Sequence, residues 1–299
     1  MSCNLLVILG PTASGKTRLG IAAAQALGGE IISADSRQVF RGMDIGTGKD
    51  LAEYGEIPRH LIDIRDAGGE FSVFDFQEEF CSAYHDIRER GRLPVLIGGT
   101  GLYLDCVLRN YRLLRVPENP ALRAALAPLN MEQLAVRLKA LKPAQHNTTD
   151  LTDRDRMLRA IEIAEGELAA GEAHVALPEL KPLVFGLHWE RQKLRRRITE
   201  RLRQRLDEGL IDEVRGLLNR GVDHRTLEHY GLEYRMVSCH LRGELNRNDM
   251  FQKLNSAIHQ FAKRQDTWFR RMERQGIAIH WLEGSADPLQ ALLRIHRNA

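Results

Sequence analysis

The octapeptide GPTASGKT at residues 10–17 directly follows the apolar run LLVIL at residues 5–9, and this pair constrains the fold more than any other feature. Gly10 and Gly15 let the backbone curl so that successive N–H groups point inward, with a helix N-terminus behind them. The whole loop, Gly10, Pro11, Thr12, Ala13, Ser14 and Gly15, is suited to cradling phosphate oxygens. Lys16 adds a mobile positive charge, and Thr17 offers a hydroxyl to a Mg²⁺ bound by the phosphates and partly through water. The apolar run before the loop reads as a strand buried on both faces, and the alanine-rich stretch 18–27 as a helix. The motif does not name the phosphate: ATP, GTP and a bare diphosphate ester present the same oxygens.

With 299 residues the chain can hold one large domain or two modest ones. No apolar run approaches the length needed to span a membrane, and residues 5–9 are too short and lack the basic flank of a secretory signal. The four cysteines are scattered without C-x-x-C spacing, so neither a zinc site nor a disulfide framework is indicated. A cytoplasmic monomer is expected. The net charge is only +3, yet arginines and lysines crowd residues 191–205 and again 263–274. One basic helix alone would be an ordinary solvated face; two suggest a surface that tracks a nucleic-acid backbone or adds phosphate contacts.

Short apolar runs at residues 5–9, 30–34, 60–64, 93–97 and 182–187 alternate with helical patterns, which predicts an α/β protein with a P-loop NTPase-like parallel sheet flanked by helices. From about residue 111 to 180 the strand-like runs vanish, prolines appear, and stretches 131–141 and 154–166 have helical spacing. This reads as an all-helical insertion, residues 111–182, within a core made of residues 1–110 and 183–299. Residues 111–119 and 171–182 would be its hinges. A long amphipathic helix follows, with Leu194, Ile198, Leu202 and Leu206 four apart and Arg197, Arg201 and Arg205 on an adjacent stripe.

The run at residues 30–34 delivers Asp35 to its carboxyl end, and in doubly wound sheets ligands sit outside the carboxyl ends of strands. Asp35 is therefore expected beside the phosphate loop, as a metal partner at one remove or as a general base. Ser36, Arg37 and Gln38 follow, either as a recognition cluster or as an ordinary polar turn. The run 93–97 ends in Gly-Gly-Thr where ATP hydrolases of this fold place an acidic residue, which favours group transfer over hydrolysis.

The segments SADSRQVFRGMDIGTGK (residues 33–49), HLIDI (60–64), PVLIGGTGLY (94–103), DRDRMLRAIEI (153–163) and AKRQDTWFR (262–270) resemble the tRNA dimethylallyltransferase family, also called tRNA isopentenyltransferases. The resemblance spans nearly the whole chain, in order. It implies a P-loop core that holds the diphosphate of dimethylallyl diphosphate, not ATP. The dimethylallyl group would pass to the exocyclic amine of the adenosine 3′-adjacent to a tRNA anticodon, with the anticodon stem-loop as partner and Mg²⁺ as cofactor. Matched residue by residue, the family's base falls on Asp35, its loop lysine and hydroxyl on Lys16 and Thr17, and its adenine-reading segment on Asp35, Ser36, Arg37 and Gln38. Thr100 and Arg123 resemble tRNA-contacting positions. So do Asp155, Arg156, Met157, Leu158 and Arg159 in the insertion, and Lys263, Arg264, Gln265, Trp268 and Arg270 near the end of the chain. Arg197 or Arg201, with Arg201 the choice, resembles a residue facing the diphosphate.

Two segments depart from the family's pattern. Gly231-Leu232-Glu233-Tyr234-Arg235 has Glu233 where a glycine is expected, and Ile258-His259-Gln260 replaces a Thr-Arg-Gln pattern. An adenylate isopentenyltransferase, a small-molecule P-loop kinase and a non-catalytic RNA-binding switch are the rival readings. The insertion and the two later basic segments favour tRNA as acceptor.

Overall fold

The computed structural model describes residues 3–141, 153–170 and 177–299. The chain opens with β1 (Leu5–Leu9), α1 (Lys16–Leu27), β2 (Gly29–Ala34), a 3₁₀ turn (Leu51–Tyr54) and β3 (Arg59–His60). It continues through α2 (Val73–Glu89), β4 (Leu93–Gly98) and α3 (Gly101–Leu108), then α4 (Pro120–Leu126), α5 (Met131–Leu141) and α6 (Arg154–Ala170). After β5 (Pro182–His188) come α7 (Arg191–Asp207), α8 (Leu210–Asn219), α9 (His224–His229), α10 (Leu232–Leu241) and α11 (Arg247–Arg274), and finally β6 (Ile279–Glu283) and α12 (Pro288–Arg297).

Among the described residues six strands form one parallel sheet in the order β3-β2-β4-β1-β5-β6. β1 lies inside it and is buried at every position. Because side chains alternate across a strand, Leu5, Val7 and Leu9 enter one core with Phe76, Phe80 and Leu104, while Leu6 and Ile8 enter the other with Leu19, Ala23 and Phe185. That double burial is why the run is continuously apolar rather than alternating.

Contacts divide the chain into two compact units, Met1–Tyr111 with Leu177–Ala299, and Arg112–Ala176. The described elements of the smaller unit are all helices, with a core of Leu126, Leu134, Leu138, Met157, Leu158 and Ile161. The expected hinge at residues 171–182 lies outside the described residues as far as 176. In the larger unit, Leu194, Ile198 and Leu202 of α7 meet Leu254, Ile258 and Ala262 of α11, both sets at four-residue spacing.

Two elements differ from the sequence reading. Residues 60–64 form almost no strand: β3 ends at His60 because Leu61 and Asp63 take left-handed backbone angles, φ 62° and 57°. The turn carries Asp63 to Lys49, whose fully buried ammonium also bonds Asp44 (2.6 Å) and the Phe40 carbonyl (2.7 Å). β6, absent from the reading, pairs with β5 at the sheet edge and buries only Leu282. Its sequence IHWLE carried too weak an apolar signal.

Candidate active site

The carboxyl ends of β1, β2 and β4, neighbours in the sheet, bring three loops together: the phosphate loop, Asp35–Gln38 and Gly98–Gly99–Thr100. Hydrogen bonds lock them. The Ser36 N–H donates to Thr100 Oγ1 (3.2 Å), and the Thr100 N–H to the Ala34 carbonyl (3.3 Å). Gln265 of α11 staples the first loop to the third, accepting from the Thr12 N–H (2.8 Å) and donating to the Gly99 carbonyl (2.8 Å). A side chain at position 99 would strike that amide.

The outer side of the phosphate loop is braced separately. Arg197 Nε donates to the Ala13 carbonyl (2.9 Å) and Trp189 Nε1 to the Ser14 carbonyl (2.8 Å), with the Arg197 guanidinium 4.3 Å from the Trp189 ring centroid. Ala13 sits at φ 61° and Gly15 at φ 90°, the left-handed turns that curl the loop. With the two carbonyls drawn outward, the loop keeps its inner side for a ligand.

That side opens on a cavity of about 240 Å³ lined by Thr12, Lys16, Thr17, Asp35, Arg201 and Arg205 among others. Burial draws the Lys16 ammonium down to about 8; Asp35 opposes this, and Arg201 and Arg205 add to it. Burial, with Arg205 beside it, likewise draws the Arg201 guanidinium down to about 10, although Asp50 binds it at 2.7 Å. Arg205 donates to the Gly46 carbonyl (3.2 Å) and lies 3.6 Å from Glu233. Three crowded cations form a site that a polyanion would relieve. Affinity for a diphosphate ester is therefore expected to fall by about tenfold per pH unit once Lys16 deprotonates above its value near 8. Calorimetric titrations between pH 7 and 9.5 check this, and a flat profile would contradict it.

Residues 44–48 curl over the same cavity. Glu213 of α8 accepts from the N–H groups of Asp44, Ile45 and Gly46 (2.8, 2.6 and 3.0 Å) and from the Tyr234 hydroxyl (2.8 Å). Gly48, at φ 62° in the left-handed region that favours glycine, lies against the Arg201 and Arg205 guanidinium groups, which a side chain there would displace.

Asp35 faces the cavity with one oxygen held: Oδ1 accepts the Arg37 N–H at 2.9 Å, and no hydrogen bond to the other is formed among the described residues. Gln38 has its amide committed to Ser33 Oγ (2.9 Å) and the Gly48 carbonyl (3.3 Å), so it holds the turn. Arg37 lies over the Tyr230 ring at 5.9 Å. The apolar lining comes from Ile31, Ile97, Leu232, Ile258 and Phe261.

The remaining expected residues divide. Lys263, Arg264 and Arg270 project from the exposed side of α11. Gln265 is buried, with both ends of its amide occupied by the protein, and Trp268 packs its indole on Gly101, so these two shape the site rather than present a surface. In the smaller unit Asp155 and Arg156 are exposed, but Met157 and Leu158 point into its core and leave almost no surface for a partner. Arg123 and Arg159 both bind the buried Glu162 (2.7 and 3.0 Å). Burial pushes that carboxyl up, but the hydrogen bonds from Arg123, the Asn119 N–H and Arg159 outweigh it and hold it at about 2.

Arg205, Glu213, Tyr230 and Phe261 also belong to this site, beyond the residues that the sequence pattern points to. Arg205 had a signal, standing four residues beyond Arg201 on the same helix face. The others arrive from sequence-distant helices. Of the rival pair, Arg197 braces the loop from outside and Arg201 lines the cavity.

A family model described as IPP transferase matches residues 38–272. The chain is 79% identical over 295 residues to tRNA dimethylallyltransferase 2 of Syntrophotalea carbinolica, covering 99% of both chains, and 64% identical over 299 residues to tRNA dimethylallyltransferase 1 of Geotalea uraniireducens, again covering 99% of both. Among solved structures, the full-length tRNA isopentenylpyrophosphate transferase of Bacillus halodurans superposes with a TM-score of 0.71 at 34% identity, over 99% of this chain and 95% of that one. With identity this high along its whole length, the chain belongs to the IPP transferase family, that of the tRNA dimethylallyltransferases.

Proposed function

We propose that this protein transfers the dimethylallyl group of dimethylallyl diphosphate to the exocyclic amine of the adenosine 3′-adjacent to the anticodon in tRNA, releasing diphosphate. The observation that carries the reading is the composition of one cavity, lined together by a carboxylate with a free oxygen, Asp35, by three cations, Lys16, Arg201 and Arg205, and by apolar side chains. A polyanionic leaving group, a short apolar chain and a proton to be removed are the three things such a cavity suits. The relatives' names, which state dimethylallyl transfer to tRNA, support the same assignment.

An adenine amine is a poor nucleophile, so its proton must leave as the new C–N bond forms. Asp35 takes it on the oxygen that the Arg37 N–H leaves free. As the allylic C–O bond breaks, charge grows on the diphosphate, and Lys16, Arg201, held by Asp50, and the N–H groups of a loop braced by Gln265, Arg197 and Trp189 meet it. Thr17, in the first turn of α1, would hold Mg²⁺. Such a cation keeps several waters and binds substrate phosphate oxygens, so a single hydroxyl is a sufficient protein ligand. When bound, that cation would neutralise part of the leaving charge.

The adenine must leave its stack to enter, at a cost of a few kcal/mol that is least in a flexible loop. Thr100, with the exposed Lys263, Arg264 and Arg270 of α11, is the proposed contact surface in the larger unit, and Arg123, Asp155, Arg156 and Arg159 in the smaller. Among the described residues no helix is long and apolar enough to cross a membrane.

The test is direct. Purified protein is incubated with labelled dimethylallyl diphosphate, Mg²⁺ and unmodified tRNA, with AMP offered in parallel, and the labelled nucleoside is identified after digestion. Label on the adenosine next to the anticodon is expected; label on AMP alone, or on neither, would refute the assignment.

A further inference from the structure

The short turn between the phosphate-binding elements and β3 contributes a group that the mechanism above does not use. Tyr54 closes the 3₁₀ turn Leu51–Tyr54 and is only 3% exposed, its ring packed with Ile31, Ile62 and Ile97 and covered by the Arg59 guanidinium 5.6 Å from its centroid. Yet it lines the catalytic cavity together with Lys16, Thr17 and Asp35. Its hydroxyl makes no hydrogen bond to any described residue. The ring is buried but the hydroxyl opens on the cavity, where it is free to donate to a bound ligand.

No neighbouring carboxylate accepts from it in this structure. Asp50 is taken by Arg201 at 2.7 Å, Glu53 by Arg18 at 3.2 Å, and the bonded oxygen of Asp35 by the Arg37 N–H. Burial pushes the Tyr54 hydroxyl up, with Asp50 adding to it, so it stays protonated and able to donate. The turn that carries it packs on α1, whose first two residues are Lys16 and Thr17, and four residues before it Asp50 fixes Arg201. Segment 50–54 therefore reaches the cavity on its phosphate-binding side.

We propose that the Tyr54 hydroxyl donates a hydrogen bond to a non-bridging oxygen of the diphosphate, as a member of the cradle supplied from outside the phosphate loop. This rests on the reading of the cavity as a diphosphate site. A donor carried on a buried ring adds to Lys16 and the loop N–H groups without charge of its own.

The experiment compares Tyr54→Phe with the parent protein. Phenylalanine keeps the ring, its packing and its contact with Arg59, so the melting temperature is expected to hold. Inorganic diphosphate with Mg²⁺, titrated by calorimetry, is expected to bind about tenfold more weakly to the variant, as for loss of a hydrogen bond to a charged group. KM for dimethylallyl diphosphate rises by a similar factor, while tRNA affinity is unchanged. Equal diphosphate affinity in the two proteins would overturn the assignment, as would a loss accompanied by a lower melting temperature and weaker tRNA binding, which marks a structural role. Absence of diphosphate binding by the parent protein would instead sink the cavity reading itself along with it.

Discussion

Asp35→Ala is expected to bind tRNA and dimethylallyl diphosphate nearly as well as the parent protein while its single-turnover rate of prenyl transfer falls by about 10²–10⁴, the usual contribution of a positioned general base. The expectation follows from geometry. Asp35 stands just beyond the end of β2, its backbone fixed by the register of β2 with β4, and only one carboxylate oxygen is engaged, by the Arg37 N–H. Removing the side chain deletes the proton acceptor without removing any of the cations that grip the diphosphate. Asp35→Asn is the sharper control: it keeps size and the hydrogen bond from Arg37 but is a far weaker base. A variant of either kind turning over within a few-fold of the parent would eliminate Asp35 as the base.

Lys16→Ala has the second large effect, and a different signature. Its ammonium is shared between ground state and transition state, because the bound diphosphate is already anionic and becomes more so as the C–O bond breaks. The expected outcome is a raised KM for the donor together with a kcat lowered about 100-fold or more, the range seen when one preorganised donor is removed from a developing oxyanion. Arg201 and Arg205 remain in the cavity, so residual binding survives. tRNA affinity should not change. Unaltered kinetics with dimethylallyl diphosphate would show that the cradle does not need this charge.

Which parts of this arrangement could be read from the chain depends on how local their causes are. The phosphate loop and Asp35 were legible because each is fixed by a contiguous pattern, an apolar strand followed by a specific turn, and the parallel sheet then dictates on which edge they meet. The α7 arginines were legible as a stripe, but their division of labour was not. Whether Arg197 or Arg201 enters the cavity depends on α7 docking against α11, a pairing between residues some sixty positions apart. Tyr230 and Glu213 left no local trace, since both act through contacts made only once the later helices fold back onto residues 44–48 and 68–69. Met157, Leu158 and Gln265 differ in another way. They stand within segments that resemble RNA-contacting stretches, but helical periodicity turns every third or fourth side chain inward, and burial decided their roles. The turn at residues 60–64 misled for a related reason: an apolar composition can fill a core from a left-handed turn as well as from a strand.

The pairing of β1 with β5 sets a timetable for synthesis. Leu5 aligns with Pro182 and Leu9 with Gly186, so the strand that launches the phosphate loop lacks one of its two neighbours until nearly two-thirds of the protein has left the ribosome. Gln265 arrives later still. At roughly 5–20 residues per second the interval between the first strand and its partner is on the order of ten seconds or more. During that time LLVIL is a fully apolar segment with an open edge, the kind of segment that other chains can capture. The nascent protein must therefore carry its catalytic strand with one edge open through much of translation, which makes this strand the natural client of whatever shields emerging chains.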